Sequence, residues 1–315
     1  MRRLLSLLLL LSLGCPGPAG EPKQVRIPAG LTTSAIADTL QARGIIDNPT
    51  WFRVLARVLG YDRKLRHGRY ELRENSGELR VLRALTVPGR TSVMVTIPEG
   101  FRLTRIAALL EEQGVCPEPE FLESCGDRSL LAELSIPGPN AEGYLFPDTY
   151  DFELESAPED VIRRMVARFR AVWEQLVAEV PSPPLGPKAT VILASVVEKE
   201  AAMADEVPTI AGVFVNRLEK GMPLQSCATV QYVLPEHREC LTYRDTRIES
   251  PYNTYLHPGL PPGPISNPGR RALRAALAPA ETDYLYFVAR GDGSHVFSRT
   301  WREHEKAKRR VNSGA

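Results

Sequence analysis

The residues best placed for chemistry lie in 188–218, KATVILASVVEKEAAMADEVPTIAGVFVNRL. There Glu198, Glu200 and Glu206 adjoin the most apolar run outside the N-terminal segment. From Val191 to Val197 the pattern predicts a buried helix, with Leu193, Val196 and Val197 sharing a stripe with Glu200. At about 100° per residue, Glu198 sits about 200° around the same helix from Glu200. The pattern therefore points Glu200 with the core stripe and Glu198 away from it. Removing a carboxyl from water disfavours its ionised form and raises its pKa, which suits a proton donor. The bland alternative is a helix end carrying solvated glutamates, and spacing alone does not decide.

Other chemistries lack their signatures. His67, His237, His257, His295 and His304 show no zinc-ligand spacing such as H-E-x-x-H, and no C-x-x-C is present, so no metal site is read. No G-x-S-x-G, P-loop or G-x-G-x-x-G occurs, and no cofactor is implied. SPYNTYLHPGLPPGPISNPG (250–269) is too rich in proline and glycine to be helix or central strand. It reads as a stiff loop bearing amides, hydroxyls and aromatics, as a polysaccharide cleft requires.

Several motifs, in order, resemble the YceG/MltG family of endolytic murein transglycosylases. They are EGYLFPDTY (142–150), ASVVEKEA (194–201), VPTIAGVFVNRLEKGMPLQS (207–226), the 250–269 loop and YLYFVARGDGSHVFSRTWREH (284–304). The resemblance runs from about residue 25 to the end. It implies Glu200 as the catalytic general acid and base, and Tyr252, Asn253 and Tyr255 as substrate-binding residues, with Gln225 behind them. Glu198 is given a helix-surface or supporting role near substrate, and His295 orients a loop or contacts sugar. The family usually has Asp where this chain has Cys227, so that carboxylate is missing here. The implied reaction is internal cleavage of nascent peptidoglycan glycan strands to leave 1,6-anhydro-N-acetylmuramic acid ends. Two alternatives stay open: a muramidase-type hydrolase, and a non-catalytic glycan-binding envelope protein. Glycan strands are the expected partner, and peptidoglycan synthases are a further expectation from the family.

Lys plus Arg number 39 against 38 for Asp plus Glu, which favours neither nucleic acid nor a strongly acidic partner. MRRLLSLLLLLSLGC reads as an export signal, its apolar run too short for the ~20 residues that span a bilayer. It ends either at a lipid-modified Cys15 that attaches the chain to a membrane, or at ordinary cleavage near Ala19. The expected location is the bacterial cell envelope, as a periplasmic, membrane-attached or lipid-modified protein. Export permits disulfides, and the expected pairs are Cys116–Cys125 and Cys227–Cys240, each local to one region.

The elements that position these residues begin with a repeat at an offset of 70. IPAGLTTSAIADTLQARGIIDNPTWF aligns with IPEGFRLTRIAALLEEQGVCPEPEFL. Each copy reads as a strand, a helix stopped by glycine (Gly44, Gly114), and a second helix. In the family this region is LysM-like; glycan binding and a purely structural role both fit. Tyr144, Phe146, Tyr150 and Phe152 read either as sugar-stacking faces or as core. Ser156 and Glu159 have capping-box spacing for a helix to about Val180, and PSPPLGPK (181–188) reads as a stiff linker. A helix follows from about Asp205 to Glu219, its face of Asn216, Arg217, Glu219 and Lys220 read as solvated. The expected class is α+β, with LysM-like subdomains before a mixed α/β catalytic domain. The expected boundaries are 1–20 signal, 21–90 LysM-like, 91–155 second copy with a connecting strand, 156–187 helix and linker, and 188–315 catalytic.

Overall fold

The structure is a computed structural model, and it describes residues 20–28, 30–180, 182–236, 238 and 241–313. The export segment with Cys15 and Ala19, and also Cys240, lie outside the described residues. The fold is mixed α+β: among the described residues helices dominate, and the strands pair as three two-stranded ribbons. The chain forms two compact units, dividing between Ser92 and Val93. No helix among the described residues is long and apolar enough to cross a membrane.

The first unit comprises β1 (Pro22–Ile27), α1 (Thr33–Ala42), α2 (Pro49–Val58), β2 (Gly68–Arg73) and α3 (Glu78–Ala84). Its helix starts are written locally. Thr32 Oγ1 accepts from the Ala35 amide at 3.3 Å, and Asn48 Oδ1 from the Trp51 amide at 2.9 Å, each satisfying an otherwise orphaned donor. Past the end of α1, Gly44 takes φ +72°, a conformation that a Cβ would disfavour. Its amide then reaches the Gln41 carbonyl, and the Ile45 amide reaches Leu40. β1 pairs antiparallel with β2, Val25 opposite Tyr70, and alternate residues turn inward onto Ile36, Leu40, Phe52 and Leu82.

The second unit begins with β3 (Ser92–Thr96), α4 (Leu103–Glu112), α5 (Glu118–Gly126), α6 (Arg128–Glu133) and β4 (Thr149–Glu153). Then come α7 (Pro158–Glu179), α8 (Pro187–Glu200), α9 (Val207–Glu219), α10 (Cys227–Val233), α11 (Arg270–Leu277), β5 (Tyr286–Ala289), β6 (His295–Ser298) and α12 (Trp301–Asn312). Gly114 closes α4 as Gly44 closes α1, again at φ +72°. Ile106, Leu110 and Phe121 of the second copy join one apolar core with Phe169 of α7, Leu193 of α8 and Leu273 of α11. Tyr144, Phe146, Tyr150 and Phe152 are buried in that core. Of the two readings of these aromatics, core is the one realised. Residues 250–269 form neither helix nor strand, as their prolines require.

Two expectations are corrected here. The capping box is absent: α7 starts at Pro158, and its N-cap, Ala157, makes no side-chain bond. Ser156 Oγ donates instead to the Glu153 carbonyl at 2.8 Å, and Glu159 accepts from Ser124 Oγ at 2.9 Å. Proline in the first turn already removes one donor that a cap would serve. Cys116 and Cys125 are free buried thiols, not a disulfide. Burial pushes the Cys116 thiol up to about 11 and Cys125 higher still. Cys227 is also a free thiol.

Candidate active site

α8 is buried at every position from Thr190 to Val197, because α9, α10 and α11 surround it. Its last turn emerges from that packing and carries two half-buried carboxylates facing different neighbours. Glu200, the final residue, accepts a short hydrogen bond from Ser226 Oγ and one from the Ala228 amide at 3.3 Å. It lines a cavity of about 740 Å³. Glu198 instead accepts from the Gly269 amide at 3.0 Å, capping the start of α11. Burial there raises the Glu198 pKa, and Glu99 adds to the rise. The single apolar stripe expected for this helix is thus corrected. With all faces buried upstream, both acids are partly enclosed.

The loop facing Glu200 is held rigidly. Gln225 sits at φ +50°, and its amide donates to the Thr254 carbonyl at 3.0 Å. The Ser226 amide reaches Thr254 Oγ1 at 3.0 Å, which meets Thr229 Oγ1 at 2.9 Å. Asn253 is fully buried, donating to the Thr246 and Ile248 carbonyls and accepting from the Tyr255 amide. These bonds stitch the 250–256 segment to the one carrying Ser226.

Arg217 corrects the solvated face read for α9. It is 8% exposed, with Nε donating to the Leu285 carbonyl at 2.6 Å and Nη1 to Leu224 at 2.8 Å. Its guanidinium lies 5.2 Å from the Tyr286 ring centroid. Burial lowers its pKa, while Tyr286, Tyr255 and Glu200 oppose that shift. Asn216 likewise donates inward, to Thr282 and Tyr284. Only Glu219 and Lys220 of that face are exposed.

Of the residues expected at the site, Glu200, Gln225 and Tyr255 line one cavity. The Tyr255 hydroxyl lies 3.1 Å from Cys227 Sγ, and burial pushes its pKa up. Tyr252 rests on Tyr232 at 4.9 Å between ring centroids and is not among the cavity residues. Asn253 is scaffolding, and Glu198 serves α11. His295 also stands off the cavity: its Nδ1 pairs with Glu206 at 2.7 Å, and its amide donates to the same carboxylate. Sequence reasoning missed Ser226, Arg217, Tyr243, Trp301 and His304 as cavity residues. Trp301 and His304 had a findable signal, three residues apart on a helix inside a family motif. Among the described residues the buried Nδ1 of His304 finds no partner, and burial, Lys308 and Arg217 lower its pKa. Among the described residues, no three His, Cys, Asp or Glu side chains gather as metal ligands would.

Comparison with known proteins identifies the family. The model of the YceG-like family matches residues 25–310. The chain is 34% identical over 306 residues to an endolytic murein transglycosylase of Bacillus subtilis, covering 92% of this chain and 84% of that protein. A Streptococcus pneumoniae protein of the same name is 30% identical over 314 residues, covering 90% of this chain and 57% of its own length. A crystal structure of a YceG-like protein from Listeria monocytogenes superposes with TM-score 0.63 at 33% identity, covering 91% of this chain and 98% of that one. With its order of motifs and nearly its whole length matched, the chain belongs to the YceG-like family.

Proposed function

We propose that this protein is an endolytic murein transglycosylase, cutting peptidoglycan glycan strands internally at the Glu200 cavity. The observation that carries the reading is that Glu200 is the only carboxylate among the described residues lining that cavity. Ordinary glycoside hydrolysis uses two carboxylates flanking the bond. An intramolecular route needs one. Glu200 donates a proton to the leaving glycosidic oxygen, then takes one from the sugar's own 6-hydroxyl as that oxygen attacks C1. The product is a 1,6-anhydro-N-acetylmuramic acid end, and no water is consumed.

The neighbours fit these two steps. Ser226 and the Ala228 amide hold Glu200 by one oxygen, which leaves the other for the substrate. Gln225 offers an amide and Tyr255 a hydroxyl toward sugar hydroxyls and acetamido groups. His304, its pKa lowered by burial, Lys308 and Arg217, adds no third positive charge to those two cations at the cavity. Tyr252, Asn253, Glu198 and His295 act by shaping the loops around the cavity. The reading sets the protein in the cell envelope, with the first unit as a LysM-like module. Export, and attachment through a Cys15 lipid, rest on the leader alone.

The test is mass spectrometry of products from purified glycan strands. Wild type is expected to give anhydro ends, and Glu200→Gln is expected to lose roughly 10²–10⁴-fold in rate with folding intact. Glu198→Gln should keep activity within a few-fold, because its partner is a helix end. Reducing ends in place of anhydro ends would assign a muramidase. Binding of strands with no new ends would assign a non-catalytic protein.

A further inference from the structure

Helix α12 presents two different faces. Trp301, His304 and Lys308 line the Glu200 cavity. Glu303, Lys306, Ala307, Arg310 and Val311 line a second groove of about 670 Å³, completed by Arg290, Asp292 and the β6 residues Val296, Phe297 and Ser298. The β5–β6 ribbon supplies residues to both spaces.

The charges in the second groove are unbalanced in use. Glu303 is committed to its own helix start, accepting from the Arg299 amide at 2.8 Å and the Thr300 amide at 3.3 Å. Asp292 is committed to its own turn, accepting from the Ser294 amide at 2.9 Å and Ser294 Oγ at 2.6 Å. Among the described residues, the side chains of Arg290, Lys306 and Arg310 make neither a hydrogen bond nor an ion pair. Neighbouring cations do: Lys308 meets Glu305 at 3.1 Å and Arg299 meets Asp283 at 3.9 Å. Arg290 acts on Asp292, adding to the Ser294 hydrogen bonds that lower its pKa. Three cations therefore face two carboxylates, and the groove keeps a surplus of one positive charge beside apolar Val296, Phe297 and Val311. With no hydrogen bond taking up their N–H donors, the three cations suit an anion rich in acceptor oxygens. One carboxylate offers two acceptor oxygens. A phosphate monoester carries about −1.5 to −2 at pH 7 and three acceptor oxygens, matching two guanidinium forks and an ammonium.

We propose that the groove between α12 and the β5–β6 ribbon binds a phosphate group through Arg290, Lys306 and Arg310. The phosphate is either free or carried on an apolar chain, and the Val296, Phe297 and Val311 floor favours the second source. This site is separate from Glu200, and it stands whichever reaction that cavity performs.

The test is calorimetric titration of the full chain with hexyl phosphate and with inorganic phosphate at low salt. Saturable one-to-one binding is expected, weakened at least ten-fold in the combined R290A, K306A and R310A variant. Arg309→Ala, which removes an exposed cation of α12 outside the groove, should change affinity less than two-fold. All four side chains are exposed, so the variants should fold, as circular dichroism would verify. Tighter binding of hexyl phosphate than inorganic phosphate assigns the apolar-borne source, and equal binding assigns free phosphate; both support the site. Absence of saturable binding, or equal weakening by Arg309→Ala, overturns it.

Discussion

The two repeat copies begin from one pattern and end with different dependencies. Both close their first helix on a left-handed glycine with the same pair of amide bonds. At the start of that helix they part. Thr32 caps α1 from its own neighbourhood, whereas the matching position before α4 is Arg102, which makes no such bond. The Leu103 amide is served instead by both oxygens of Glu142, 39 residues away, at 3.2 Å each. Asn267 then fastens Glu142 through its Nδ2 at 2.8 Å, while its Oδ1 accepts from the Gly143 and Leu145 amides. The first copy completes its own core, and the second is tied into the core that holds α8. A repeated sequence pattern thus specifies a local fold, and the residues outside it decide whether that fold stands alone.

The sharpest way to break this comparison is to hollow each core. Phe52→Ala and Phe121→Ala each remove a fully buried ring, at a cost of roughly 3–5 kcal/mol. Calorimetry together with activity against temperature should show that only Phe121→Ala lowers the temperature at which activity is lost. An equal fall for Phe52→Ala would erase the distinction. Next in size is Asn267→Ala, which strands the Gly143 and Leu145 amides and removes one of the donors to Glu142 and to the Phe101 carbonyl. At about 1–3 kcal/mol per buried unpaired group, partly relieved by relaxation, a loss of roughly 2–4 kcal/mol is expected in urea unfolding.

A third test uses pH. Burial raises the Glu142 carboxyl from its ordinary 4.5 to about 8, against the lowering effects of the Leu103 amide, Arg102 and Asn267. The folded state therefore keeps a proton that the unfolded chain releases above 4.5. This contribution is fully present below 4.5 and falls by up to roughly 1.4 kcal/mol per pH unit as pH rises toward 8. Glu142→Gln should flatten that slope in denaturation midpoints measured from pH 5 to 8. The smallest effect belongs to the self-capped copy: Thr32→Ala should cost about 1 kcal/mol, with no pH dependence.

What the sequence disclosed follows the range of the interactions. Gly44 and Gly114, the strand–helix–helix order and the irregular 250–269 loop depend on near neighbours, and they were legible. The place of Glu200 at the cavity was legible through its family motif. Arg217 was not, since nothing near it announces that the Leu224 and Leu285 carbonyls will enclose a guanidinium. Ser226 was missed for the same reason, its partner being 26 residues away. Helical spacing misjudged Glu198 because α8 is surrounded, and periodicity reports one buried face only when another stays wet.

The buried thiols of the second copy carry a consequence for how its opening can be timed. With its pKa near 11, Cys116 has roughly one part in 10⁴ thiolate at pH 7, and only the thiolate reacts with an electrophile or oxidant. Cys116 and Cys125 are therefore chemically silent while the core is shut. Labelling becomes fast only when α5 lifts from its packing, so its rate counts those excursions. Cys227, exposed within the Glu200 cavity, needs no opening to be reached, although partial burial and the Glu200 carboxylate raise its pKa against the lowering effect of Tyr255. The chain thus holds a clock of core breathing beside a thiol that needs none, and one reagent reads both.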